Sequence, residues 1–262
     1  MENIEVSGAT VSYRVDGSGP GLVLVSGTGG NLHSNWDHLI DQLTPQRSVV
    51  RVDYSGSGDT RDDHGILSVE ILAQQVITAA KASGMVPFDL VGYSLGAGVA
   101  IYIAAEYPDL VRSLVLLAGF ASGEETRLKL QSELWLDLIR LDPRAFARVI
   151  LLTGFSPPFL SRLGDQQVGE WIDAICTVNR WDGIARQIDL DRRLDVSEQV
   201  QKISAPALVI GCKQDQMVPI EHSRALAAAI AGSNYAELDS GHLAPFERPE
   251  EFIQLVLDFI NA

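Results

Sequence analysis

A serine flanked by glycines, Ser94 in "VGYSLGAG", is the first residue whose surroundings suggest chemistry. A hydroxyl is a weak nucleophile; it needs a neighbouring base, and that base needs an acid to orient it. The chain holds five histidines: His33, His38, His64, His222 and His242. Only His242, in "LDSGHLAPF", falls in a loop just past the last expected strand, where it could fold back over the sheet edge. His222 starts a helix after "VP" and reads as a first-turn surface residue. His33, His38 and His64 read as structural or pocket-lining. Asp215, in "GCKQDQMVP" after an apolar strand, is the leading acid. Asp239 lies nearer to His242 in sequence, but at a strand end it reads as a turn or cap residue. No His pair has H-E-x-x-H spacing, and no metal or other cofactor is expected.

These residues need elements to carry them. "ATVSYRVDG" alternates and stops at a glycine, as an edge strand does. "GLVLVSGTGG" reads as a buried strand running into glycines. "NLHSNWDHLIDQL" reads as a helix with Trp36, Leu39, Ile40 and Leu43 on one face. "SVVRVDYSGSGDT" is strand then loop, and "SVEILAQQVITAAKASG" is a helix ending at Gly84. "PFDLVGYS" and "LGAGVAIYIAAEYP" place Ser94 between a strand and a helix, and "VRSLVLLAG" is the next strand. Gly92 and Gly96 suit a turn too tight for side chains. Such a turn lifts the serine to the carboxyl edge of the sheet, beside a helix N-terminus.

The alternation lapses over residues 121–200, which show mostly helical periodicity. Leu128, Leu134, Leu138 and Leu141 recur at helix spacing, as do Trp171, Ile175 and Val178, with "TGFSPPFLSRLG" as a break. Strand and helix then alternate again through "APALVIGCKQD", "IEHSRALAAAIAG", "NYAELDSGH" and "PEEFIQLVLDFINA". This pattern predicts an α/β fold with a mostly parallel sheet covered on both faces. Residues 1–120 and 201–262 form its core, and 121–200 insert over one end.

In the order Ser94, Asp215, His242, the stretches "GYSLGAG", "GCKQDQMVP" and "SGHLAPFERPEEF" resemble the nucleophile, acid and histidine loops of the α/β-hydrolase superfamily. The resemblance covers essentially the whole chain. It implies an eight-stranded sheet with residues 121–200 as a helical lid. It also implies an oxyanion hole made by the backbone N–H groups of Leu95 and Thr28. Ser26 stands where the family usually has histidine, and Ser55 where relatives often carry arginine. Of the lid aromatics Trp135, Phe146, Phe155, Phe159, Trp171 and Trp181, the candidates for substrate contact are Trp135, Phe155, Phe159 and Trp181.

The resemblance implies a serine hydrolase acting on an ester, thioester or lactone of a small to medium apolar molecule. A serine nucleophile argues against a haloalkane dehalogenase or an epoxide hydrolase. The alternative is an elimination, cyclisation or acyl-transfer enzyme on the same scaffold, with His242 as general base; a third reading is a binding protein. The formal net charge of −14 would repel a nucleic acid, and no basic run offsets it. No apolar run reaches membrane-spanning length and no signal peptide is apparent, so a cytoplasmic protein with a small-molecule substrate is expected. Cys176 and Cys212 read as buried free thiols. The sequence does not reveal the oligomeric state.

Overall fold

The fold is that of a computed structural model, which describes residues 1–6, 8–63 and 65–262; His64 lies outside them. The strands are β1 (Glu2–Val6), β2 (Ala9–Gly17), β3 (Gly21–Val25), β4 (Ser48–Asp53), β5 (Arg61–Asp62), β6 (Phe88–Tyr93), β7 (Val111–Leu117), β8 (Ala207–Cys212) and β9 (Asn234–Leu238). Eight of them run in the order β1-β2-β4-β3-β6-β7-β8-β9, and the two-residue β5 pairs with β2. Pairing is antiparallel for β1–β2 and β2–β4 and parallel from β4 through β9. The strand "ATVSYRVDG" is therefore not an edge. The edge is the charged β1, too short and polar to stand out in sequence.

Successive side chains of a strand point to opposite faces, and the core divides accordingly. In β3, Val23 and Val25 join one apolar cluster while Leu22 and Leu24 join the other. The first cluster packs under α2 (Val69–Ala82) and α3 (Leu95–Glu106), and the second under the far face. "NLHSNWDHLIDQL" buries Trp36, Leu39, Ile40 and Leu43 in that second cluster, as its pattern predicts. Its helix is only a 3-10 turn at Asp37–Leu39 followed by α1 (Ile40–Leu43). Asn31 Oδ1 accepts from the backbone N–H of both His33 and Ser34, and this turn competes with an earlier helical start.

Residues 121–200 contain α4 (Thr126–Leu141), α5 (Pro143–Gly154), α6 (Pro157–Leu160), α7 (Asp165–Val178), α8 (Trp181–Asp191) and α9 (Ser197–Val200). The buried face of α4 is Leu128, Ser132 and Trp135, and Leu138 packs part-buried against the same cluster; of the four leucines, Leu134 and Leu141 are exposed. Val178 is exposed as well. The chain returns through α10 (Ile220–Ala229), α11 (Ala244–Glu247) and α12 (Pro249–Ile260). Cys212 is buried, whereas Cys176 is only part-buried; both are free. Among the described residues no helix is long and apolar enough to cross a membrane.

Candidate active site

Ser94 sits between β6 and α3 with φ of 56° and ψ of −120°, a backbone conformation that L-residues rarely adopt. The turn closes because its neighbours are glycines. A Cβ on Gly92 would lie 2.4 Å from the Gly96 carbonyl, and one on Gly96 would lie 2.3 Å from the Val25 carbonyl. The Ser94 N–H donates to Leu117 O at 3.0 Å, which pins the turn to β7. Leu95 opens α3, so its N–H has no partner within the helix.

His242 lies in the loop after β9, and Asp215 in the loop after β8. His242 Nε2 is 3.0 Å from Ser94 Oγ, and its Nδ1 is 2.6 Å from Asp215 Oδ2. A carboxylate only accepts, so it holds the proton on Nδ1 and leaves the Nε2 lone pair facing the serine. Asp215 Oδ1 accepts from the N–H of Met217 at 2.8 Å and of Val218 at 2.8 Å, which fixes the carboxylate. The imidazole lies 5.3 Å from the Tyr93 ring, whose hydroxyl donates to the His242 carbonyl at 3.0 Å. Burial raises the Tyr93 hydroxyl well above its usual range, so it stays a neutral donor. Hydroxyl, imidazole and carboxylate joined in this order can pass a proton from Oγ to Nε2.

The other described histidines, His33, His38 and His222, stand apart from this series. His222 Nε2 meets Glu125 at 2.8 Å, and His33 Nδ1 meets Asp37 at 2.9 Å. His38 stacks on Phe246 at 4.4 Å, and burial lowers its basicity. Asp239 accepts from Gln214 Nε2 at 2.8 Å rather than capping a helix. Among the described residues no three His, Cys, Asp or Glu side chains group as a metal site would require.

Ser94, His242 and Thr28 line a narrow cavity of about 90 Å³, walled by Phe120, Leu128, Trp135, Phe146 and Met217. It adjoins a wider cleft of about 570 Å³, and the two share Thr28, Asn35, Phe146, Ile150 and Leu243. Of the four lid aromatics expected at the substrate, only Trp135 lines the cavity. Phe155 is fully buried and packs with Phe159 and Trp171 in a separate apolar cluster. Trp181 packs edge-on against Phe146 at 5.7 Å. All four have helical spacing, but which way each helix turns is decided by packing.

The loop after β3 is held from several sides. Trp36 Nε1 donates to Ser26 Oγ at 2.9 Å, and the Tyr54 hydroxyl donates to Ser26 O at 2.6 Å. Gly27 N donates to Asn35 Oδ1 at 3.3 Å, and Gly30 N to Gly27 O at 3.0 Å. The buried Ser55 is structural: its N–H and hydroxyl both bond Gln75. Sequence reasoning missed Asp191 and Gln187, which reach this loop from α8. Thr28 Oγ1 donates to Asp191 Oδ2 at 2.6 Å, and Gly29 N to Gln187 Oε1 at 2.9 Å. Their i, i+4 spacing was the available signal, though nothing local told which loop they would meet.

The model of the alpha/beta hydrolase family matches residues 22–255. The chain belongs to this family. It is 51% identical over 260 residues to pyrrolizixenacetamide deacetylase of Xenorhabdus hominickii, covering 99% of this chain and 98% of that one. A hydrolase from Pseudomonas aeruginosa superposes with a TM-score of 0.89 at 28% identity, covering 100% of this chain and 98% of the other. The enol-lactonase of Burkholderia xenovorans superposes with a TM-score of 0.88 at 25% identity over 100% of both chains. These relatives are hydrolases, and the family assignment points to a hydrolase here.

Proposed function

We propose that the chain is a serine hydrolase that removes a small acyl group from a larger amide. The hydrogen-bonded series Ser94, His242 and Asp215 carries the reading. Ser94 Oγ attacks the carbonyl carbon as His242 Nε2 takes its proton. The carbonyl oxygen becomes an oxyanion facing the N–H groups of Thr28 and Leu95. His242 then gives the proton to the leaving nitrogen, and the C–N bond breaks to leave an acyl-Ser94. Water, deprotonated by His242, repeats the attack and frees the acid. Asp215 holds the imidazole in the required tautomer throughout.

The size of the two spaces supports a small acyl group. The narrow cavity at Ser94 suits a few heavy atoms, and the wider cleft suits the bulk of the molecule. The 51% identity to an enzyme named as an acetamide deacetylase favours an amide over the ester, thioester or lactone expected from sequence. A lactone is the second reading, supported by the likeness to the enol-lactonase. Residues 121–200 act as the lid in either case, since α4 and α5 supply the apolar walls. The test is hydrolysis of bulky N-acetyl amines and of matched esters in ¹⁸O-labelled water. One labelled oxygen in the released acetate is expected, with amide turnover that is absent in Ser94→Ala. Product without solvent oxygen would overturn hydrolysis in favour of elimination, cyclisation or acyl transfer.

A further inference from the structure

Gln187 and Asp191 lie one turn apart on the same face of α8, and each grips a consecutive residue of the loop after β3. Gln187 is fully buried and also donates through Nε2 to Ser55 O at 3.2 Å and Ser57 Oγ at 2.9 Å. Asp191 lines the cavity beside Ser94 and His242. Its Oδ1 is covered and, among the described residues, has no hydrogen-bond partner. With Gly29 N and Gly30 N already engaged, the Thr28 N–H is the donor this loop can offer. We propose that Asp191 and Gln187 are positioning residues for the oxyanion hole: α8, from the helical insertion, fixes the Thr28 N–H against Ser94. The inference rests on the serine-hydrolase reading above. It makes the docking of the insertion a condition of catalysis rather than only of substrate fit.

The placement has an electrostatic consequence. The titratable groups that face Asp191 from neighbouring elements are His242 across the cavity and Tyr54 just after β4; Asp53, at the end of β4, acts on Tyr54. Burial pushes the Asp191 carboxyl up to about 7, and the Thr28 hydrogen bond and His242 only partly oppose this. In its neutral form Asp191 still accepts from Thr28 and puts no charge beside the oxyanion. Ionised, it sets a negative charge where another must develop, and transition-state stabilisation falls.

The experiment is the rate of phosphonylation by a fluorophosphonate, followed by intact mass. In that step Ser94 Oγ bonds to phosphorus as its proton passes to His242 Nε2, the P–F bond breaks to release fluoride, and the phosphoryl oxygen enters the hole. For Asp191→Ala and Gln187→Leu the maximal rate constant should fall at least about tenfold, with the half-saturating concentration within about threefold. Asp191→Asn keeps an acceptor for Thr28 and should recover most of the loss. Wild-type labelling should decline above about pH 7, and this decline should vanish in Asp191→Asn. A merely structural role would not move that profile. If Ser94 labels normally in folded Asp191→Ala and Gln187→Leu, the inference is overturned while the serine-hydrolase reading stands. If wild type gains no adduct, or Ser94→Ala gains the same one, the functional reading itself is overturned.

Discussion

The carboxylate of Glu247 joins Ser156, at the start of α6, to the loop that carries His242. It accepts from Ser156 N at 3.0 Å, from the Ser156 hydroxyl, and from Gly241 N at 3.1 Å. Leu243 N adds a bond to Gly154 O at 2.8 Å. The histidine loop is thus fastened to the insertion as well as to its own sheet. Glu247→Ala leaves three buried donors unsatisfied. It should destabilise the protein by roughly 2–4 kcal/mol, read as a lower denaturant midpoint. Activity should fall with it because His242 loses its register; an unchanged midpoint would show that the bridge is not made in solution.

Asp215→Asn should keep the acceptor that Met217 and Val218 use, since one amide oxygen remains. Its NH₂ would face Nδ1 and drive the imidazole into the wrong tautomer. We expect kcat to fall by about 10⁴-fold with near-native stability, measured by steady-state kinetics and thermal unfolding. A fall of less than tenfold would remove Asp215 from the proton-transfer chain.

Trp135 walls the narrow cavity and meets Phe146 edge-on at 6.2 Å. Trp135→Ala should lengthen the space available to the acyl group. The ratio of kcat/KM for a butanoyl over an acetyl substrate should rise by about tenfold or more, in line with the worth of one or two methylenes in an apolar pocket. Loss of both activities in equal proportion would place the acyl group elsewhere.

The raised Asp191 carboxyl also acts on stability, and the sign is fixed. An acid whose folded pKa lies near 7 against 3.8 as its ordinary value is held neutral by the fold. Its contribution is fully present below the ordinary value and is lost as pH rises towards and through about 7. Asp191→Asn should therefore gain stability over wild type at pH 8, on the order of 2 kcal/mol. The gap should narrow by pH 5. Urea midpoints at the two pH values check this, and a gap independent of pH would mean that Asp191 is ionised throughout.

Much of the site was legible without coordinates because its signals are local. A glycine two residues either side of Ser94, a strand before it and a helix after it are properties of a short stretch. Asp215 and His242 each follow a strand, the apolar β8 and the more polar β9, and parallel strands present their carboxyl ends at one edge. Tertiary packing decided the rest. Leu134 and Leu141 lie roughly 120–140° round α4 from Leu128 at 3.6 residues per turn, and they are exposed, because the facing helices cover the stripe of Leu128, Ser132 and Trp135. Asp191 contacts Thr28 across 163 residues of chain, and no local periodicity encodes a partner at that distance. The sequence by itself determined the alternation of strands and helices from β3 onward, and the placing of Ser94, Asp215 and His242 in loops at strand ends. Only the folded chain set α8 against the loop after β3, where the buried Gln187 and the part-buried Asp191 accept from the Gly29 N–H and the Thr28 hydroxyl.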